Sequence, residues 1–176
     1  MSRWRLRRRE GILFRHPGNV VEIRRTRNGN GLFAAKRFQA NERIIRIVGK
    51  VVSARIVTGT GGTFADNCFR CGPETYLDPG EEAGAYLNHS CEPNAYIRKS
   101  NNQLFLAAIR KIRRNDEIVI DYSTILGDDD IWTMRCNCGS TRCRKTIKHF
   151  GSLPSLLKAR YVERGAVPRY ILETLS

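Results

Sequence analysis

No apolar run in the 176 residues approaches the ~20 needed for a helical membrane span, which argues against a helical membrane protein. A secretory leader is not expected either. After the basic start Met-Ser-Arg-Trp-Arg-Leu-Arg-Arg-Arg, the apolar stretch is only Ile12-Leu13-Phe14, too short for the core of a signal peptide. The Arg-rich start leaves an organellar transit peptide as an alternative, although serine is scarce there. An intracellular protein is expected. No repeat of useful length is present, which excludes solenoid and propeller arrays. Acidic residues are few, 17 against 31 Lys and Arg, for a formal charge of +14. The deficit is uneven, with +11 on residues 1–50 and −2 on residues 51–100. A basic first third attracts polyanions, so contact with DNA, RNA or chromatin is one reading and a solvated, solubilising arm the other.

What is present is ordinary for one globular domain, with 41% hydrophobic and 27% charged residues. Residues 1–18 read as a basic arm ending at His16-Pro17-Gly18. Short apolar, β-branched runs then alternate with loop residues. They include Val20–Ile23, Ile44–Val48, Leu104–Ile109 and Glu117–Tyr122, and predict strands. Asn28-Gly29-Asn30-Gly31 and Gly59-Thr60-Gly61-Gly62 read as loops. Pro154–Glu163 predicts a helix with Leu156, Leu157 and Tyr161 at helical spacing and Gly165 as its stop, and Pro168–Leu175 a second short one. The fold expected is mainly β with small helices (α+β), closed by a cysteine-rich segment and a helical tail.

Six cysteines in a chain with no leader and enough length for its own core point to metal rather than disulfides. Cys136, Cys138 and Cys143 form C-x-C-x4-C, three thiolates suited to tetrahedral zinc, which wants four ligands. From the residues alone the fourth is open among Cys91, Cys68, Cys71 and a histidine. Cys68-x-x-Cys71, with Phe69 between, reads as a strand whose cysteines act as small hydrophobes, a redox pair or second metal site being the alternative. His89 and Cys91 are only two apart, unlike catalytic Cys–His pairs, which come together from distant positions.

Four elements in order carry a resemblance: Gly29-Asn30-Gly31-Leu32-Phe33-Ala34; Asn88-His89-Ser90-Cys91-x-Pro93-Asn94; Glu117-x-x-x-Asp121-Tyr122; and Cys136-x-Cys138-x4-Cys143. Together they resemble the signatures of SET-domain lysine methyltransferases with a post-SET zinc segment. The likeness runs from about Val20 to Ile147, and implies a SET domain over 19–124, a zinc segment over 125–150 and a helical tail over 151–176. It further implies that Gly29, Asn30, Gly31, Leu32, Tyr86, Asn88 and His89 bind S-adenosylmethionine, with Ile147 packing on it. The Asn88-His89 stretch and the Asp121-Tyr122 segment would meet in the family's pseudoknot. Cys91 would complete a structural Cys₄ zinc site with Cys136, Cys138 and Cys143. Tyr122 would be the catalytic tyrosine, Asp121 a structural support, and Tyr76 and Ile120 would line the substrate channel.

Departures from the family pattern are also legible. Ile120 stands where an aromatic residue is frequent, and an aliphatic side chain there holds no water, which predicts more than one methyl per lysine. Ala85-Tyr86 replaces the frequent Arg-Phe, and Ile47-Val48-Gly49 the frequent Tyr-x-Gly, so Tyr76 or Tyr86 would compensate in the channel. Asp66, Glu74, Asp78, Glu81 and Glu82, opposed only by Arg70, form a strip suited to a basic substrate tail. The resemblance thus implies methyl transfer to a lysine of a basic protein, histones included, in a nuclear, chromatin- or nucleoid-associated setting. The competing reading is a SET-like, zinc-stabilised adaptor without turnover that binds chromatin or nucleic acid.

Overall fold

The computed structural model describes residues 12–15 (backbone only), 20–53, 68–130 and 132–175. The Gly59–Gly62 loop, Asp66 and most of the expected arm lie outside them. The chain runs β1 (Ile12–Arg15), β2 (Val21–Thr26), β3 (Gly29–Ala34), β4 (Arg43–Ile47), β5 (Lys50–Ser53), β6 (Phe69–Arg70) and β7 (Thr75–Asp78). It continues with β8 (Asn88–His89), β9 (Ala95–Ser100), β10 (Gln103–Ala108), β11 (Val119–Ile120), β12 (Met134–Arg135) and β13 (Thr146–Ile147). Helices α1 (Ser155–Glu163) and α2 (Arg169–Leu172) close it.

Among the described residues the strands form five small sheets, ordered β1-β2-β3, β4-β10-β9, β5-β7-β6, and the pairs β8-β11 and β12-β13. The architecture is mainly β with small helices, as the sequence predicts. The apolar run of β10 has a physical reason. Leu104, Leu106 and Ala108 enter a main core with Leu32, Ile45, Ile97 and Ile118, while Ala107 joins a second core made by the tail. A central strand covered on both faces reads as continuously apolar rather than alternating.

That second core brings Phe150, Leu153, Tyr161, Val167, Tyr170 and Ile171 against Tyr96 and Ala107. Helix α1 ends as predicted. Gly165 takes φ +61, and Ala166 N–H returns to the Tyr161 carbonyl at 2.9 Å. Its inward face is narrower than expected: Leu157 and Tyr161, one turn apart, face in, while Leu156 is 77% exposed.

Three strand limits differ from expectation. The expected loop Asn28–Gly31 is mostly strand, because a two-residue turn at Arg27-Asn28 joins β2 to β3, with Gly29 at φ +98. The expected strand Glu117–Tyr122 is only Val119–Ile120. Glu117 bridges to Phe33 on one side, and on the other Asp121 accepts from Ser123 N–H at 3.1 Å and turns the chain into a 3₁₀ turn over Tyr122–Ile125. Between Cys68 and Cys71 the strand is Phe69–Arg70 alone, ended where Cys71 N–H bonds to the Thr75 carbonyl. β1, inside the stretch expected as an arm, pairs antiparallel with β2. No helix of the described residues is long and apolar enough to cross a membrane.

Candidate functional site

The site is built where two distant segments lie side by side. β8 and β11 pair in parallel, Asn88 against Val119 and His89 against Ile120. Ser90 N–H extends the ladder to the Ile120 carbonyl at 2.9 Å, and Asn94 clasps the strand from beyond. Its Nδ2 donates to the Glu117 carbonyl at 2.7 Å, and its Oδ1 accepts from Val119 N–H at 2.9 Å. The clustered polar residues of this motif are thereby satisfied, as buried polar groups must be.

This pairing delivers Tyr122 beside His89. The Tyr122 hydroxyl donates to the Leu87 carbonyl at 2.6 Å, and its backbone N–H donates to His89 Nδ1 at 3.2 Å. The two rings are 5.4 Å apart, and on another side Trp132 stands 6.2 Å from Tyr122. Burial, and then the Glu117 carboxylate, push the Tyr122 phenol above its ordinary range, so it keeps its proton at neutral pH. Burial also pulls His89 down to about 4, against the nearby Asp121, so the imidazole is neutral.

A polar cleft of about 370 Å³ is lined by Asn88 and His89 of this strand pair, with Glu117 and Arg27 beside them. Asn88 Nδ2 donates to the Asn30 carbonyl at 3.1 Å and to Glu117 Oε1 at 2.8 Å. The close approach explains Gly31: a Cβ there would stand 2.6 Å from Glu117 Oε1 and 2.9 Å from Asn88 Nδ2. Asn30 Oδ1 is a buried acceptor with no partner among the described residues, a position that fits a donor group of a ligand.

The other residues expected at the cofactor lie differently. Leu32 is fully buried in the main core and its carbonyl accepts from Ile118 N–H at 2.7 Å. Tyr86 packs against the same core. Ile147 is fully buried with Cys91 and Cys136, and Tyr122 and Trp132 pack on that group. None of these three belongs to the cleft lining. Of the expected channel residues, Ile120 is fully buried in the main core, and Tyr76 donates its hydroxyl to Asp130 Oδ1 at 2.7 Å.

The cysteine cluster assembles beneath. The Sγ atoms of Cys91 and Cys136 are 3.7 Å apart. Zn–S bonds of about 2.3 Å in a tetrahedron require an edge of about 3.8 Å, so the spacing fits zinc. Ligand atoms of His89, Cys91, Cys136 and Cys138 all lie within 4.8 Å of one another. Cys143 packs on the same group, its Sγ 4.0 Å from the Cys136 carbonyl. The histidine's bonds separate its role from the thiols. Nδ1 accepts from Tyr122, so in a neutral ring Nε2 carries the proton and faces Cys91 Sγ at 3.3 Å as a donor. Backbone N–H groups of Arg144 and Lys145 point at the sulfurs of Cys91 and Cys143 at 3.3 and 3.4 Å. Cys68 and Cys71 are absent from this cluster.

Asp121 is the hub between cluster, strand pair and tail. Fully buried, it receives Arg144 at both oxygens and the Tyr161 hydroxyl at 2.9 Å. Glu117 and Asp121 are legible through their motif, but Arg144, Tyr161 and Trp132 are not, because their placement depends on the tail and the cysteine segment folding back.

A family model described as the SET domain matches residues 29–123. Human histone-lysine N-methyltransferase 2B is 30% identical over 132 residues, 68% of this chain and 5% of that protein. The trithorax histone-lysine N-methyltransferase of Drosophila virilis is 28% identical over 132 residues, 68% of this chain and 3% of its own. An Aspergillus oryzae histone-lysine N-methyltransferase, H3 lysine-4 specific, is 29% identical over 129 residues, 65% of this chain and 10% of its own. The matched stretch is thus a tenth or less of each of these relatives.

Proposed function

The chain belongs to the SET-domain family, and on that premise we propose that it transfers methyl groups from S-adenosylmethionine to a lysine side chain of a basic protein. The observation that carries this reading is the Tyr122 hydroxyl held on the Leu87 carbonyl beside His89, which lines a polar cleft with Asn88, itself bonded to Asn30, whose own side-chain oxygen is a buried acceptor without a partner among the described residues.

Asn30 Oδ1, Asn88, the His89 backbone and Glu117 would hold the cofactor, while Gly29 and Gly31 let the backbone come close. Leu32, Tyr86 and Ile147 support this wall by packing. When bound, S-adenosylmethionine supplies a methyl on a sulfonium, open to in-line displacement by a neutral amine.

The chain's own task is to neutralise and aim that amine. A lysine ammonium, with a reference pKa of about 10.4, must lose a proton first, and apolar surroundings favour its neutral form. Ile120, Trp132 and the Tyr122 ring supply such surroundings. Because its phenol is pushed up, Tyr122 keeps its proton and donates it in a hydrogen bond to the Leu87 carbonyl, which fixes the direction of its oxygen so that it positions the reacting groups rather than taking the proton. Cys91, Cys136, Cys138 and Cys143 hold a structural zinc, with His89 donating to the Cys91 thiolate. On this assignment residues 19–124 form the catalytic unit, 125–150 the zinc segment and 151–176 the tail.

The relatives are named as histone-lysine methyltransferases, which supports a histone or similarly basic tail as substrate and a nuclear or chromatin setting. The basic first third would face DNA while Glu74, Glu81 and Glu82 meet the tail. The test is incorporation of label from S-adenosylmethionine into a panel of histones and basic proteins, beside a Tyr122→Phe control. Incorporation lost in the control supports the enzyme. Cofactor binding without product across the panel favours the adaptor.

A further inference from the structure

Arg70 is a cation inside the protein, its side chain 3% exposed. It sits on β6, and its five N–H donors are committed. Nη1 meets Asp129 and, at 3.1 Å, Asp130; Nη2 meets Asp129 and the Pro73 carbonyl, each at 2.8 Å; Nε meets the Gly72 carbonyl at 3.3 Å. Tyr76, its partner across β6 and β7, donates to the other oxygen of Asp130, and Asp130 in turn accepts from Gly127 N–H at 2.6 Å. The segment comes in as closely as backbone allows, since a Cβ on Gly127 would stand 2.5 Å from Arg70 Nη1. From behind, the Tyr170 hydroxyl of α2 donates to the Arg70 carbonyl, and Lys99 Nζ to the Cys71 carbonyl at 2.7 Å.

The sheet β5-β7-β6 needs such a fastening. Phe69 of β6 and Leu77 of β7 reach the main core, but β7 is only half-buried along its length and Val51 of β5 is 61% exposed, so the outer face of the sheet has little apolar cover. A buried ion pair adds little net stability for its desolvation, but a guanidinium fork fixes direction. What it directs is the chain after Tyr122. Two residues beyond Asp130, Trp132 places its ring beside that of Tyr122, tilted by 57°.

We infer that Arg70 is a positioning residue: through Asp129 and Asp130 it locks the β5-β7-β6 sheet to segment 127–130 and so holds Trp132 against Tyr122, where the target side chain must enter. The consequence for substrate rests on the methyl-transfer reading; the lock itself does not. It also means that Asp129 and Asp130 are spent on the protein and are not substrate contacts, and that Tyr76 acts through Asp130.

Trp4 and Trp132 are the two tryptophans of the chain, so a Trp4→Phe background reports on Trp132 alone. In that background Arg70→Lys, which cannot make the fork, should raise acrylamide quenching of Trp132 about twofold and hydrogen exchange across residues 69–78 about tenfold. With a basic peptide its KM should rise about tenfold while kcat changes less than about threefold, a split that a general loss of stability does not produce. Asp129→Asn, at a side chain 57% exposed, gives the same directions in smaller measure and carries the test if Arg70→Lys does not fold. Unchanged quenching and exchange in a folded variant overturn the lock. Quenching and exchange that rise in a protein with no methyl transfer uphold the lock and refute only the reading of the site.

Discussion

Arg144, one residue past the last cysteine of the cluster, meets both oxygens of Asp121, one residue before Tyr122, at 2.7 and 2.8 Å. Asp121 is fully buried and Arg144 mostly so, and the Tyr161 hydroxyl shares the same carboxylate. Cysteine segment, tail and the turn that carries Tyr122 therefore converge on a single carboxylate. Removing one member of a buried pair strands the other charge, at about 3–5 kcal/mol. Arg144→Met should destabilise the protein by that order in urea unfolding. Tyr161→Phe should cost about 1–3 kcal/mol by removing one donor. A smaller effect for Arg144→Met than for Tyr161→Phe would show that the ion pair is not the principal tie.

Tyr122→Phe removes the hydroxyl that donates to the Leu87 carbonyl. Turnover should fall about 100-fold or more, the scale of losing one directed donor at a reacting centre. Cofactor binding by calorimetry should stay within about threefold, because the hydroxyl bonds to Leu87 rather than to the cleft residues. A cofactor affinity that collapses with turnover would move Tyr122 from the reaction to the binding site.

Gly31→Ala places a methyl against Glu117 and Asn88. The overpacking costs about 1–3 kcal/mol and pries apart the bonds that align Asn88. S-adenosylmethionine affinity should drop by about tenfold or more while zinc content is unchanged. Wild-type affinity in Gly31→Ala would remove the cleft from consideration as the cofactor site.

Stoichiometric zinc should be released on denaturation and measured with a chromogenic chelator. Cys91→Ser and Cys143→Ser should each lose it, while His89→Gln should retain it at lower affinity, because on the proposed assignment His89 donates to the Cys91 sulfur rather than binding the metal. Loss of a conserved outer partner weakens metal binding by about 10–100-fold. Full zinc retention in Cys143→Ser, with loss in His89→Gln, would replace Cys143 by His89 in the ligand set.

Exhaustive methylation of a peptide should yield di- or trimethyl-lysine by mass spectrometry, since Ile120 offers no hydroxyl to hold a water at the position before Asp121. A product that stops at one methyl in the native protein, and proceeds further in Ile120→Ala, would show that bulk rather than polarity sets the count.

Much of the site was legible in the chain. Asn88-His89, Glu117 and Tyr122 stood in the motifs that carry the resemblance, and the cysteine spacing called for a fourth ligand. Cys91 lies 3.7 Å from Cys136. The helix stop at Gly165 was legible because positive φ leaves a residue-type signature. Leu156 was misread because helical spacing marks a face but does not say how wide a face the neighbouring core will cover.

Composition, motif order and local turn chemistry are properties of neighbours in sequence, and they determined the mainly β class, the family and the list of chemical groups. Which of those groups face one another depends on segments tens of residues apart, and only the tertiary structure decided that. Nothing in the local sequence around Asp129 and Asp130 marks them as partners of Arg70, some sixty residues earlier, whose guanidinium bonds to both. Charge pairing in a folded interior is set by which backbones approach, and hydrophobic burial, which brings them together, has no direction of its own.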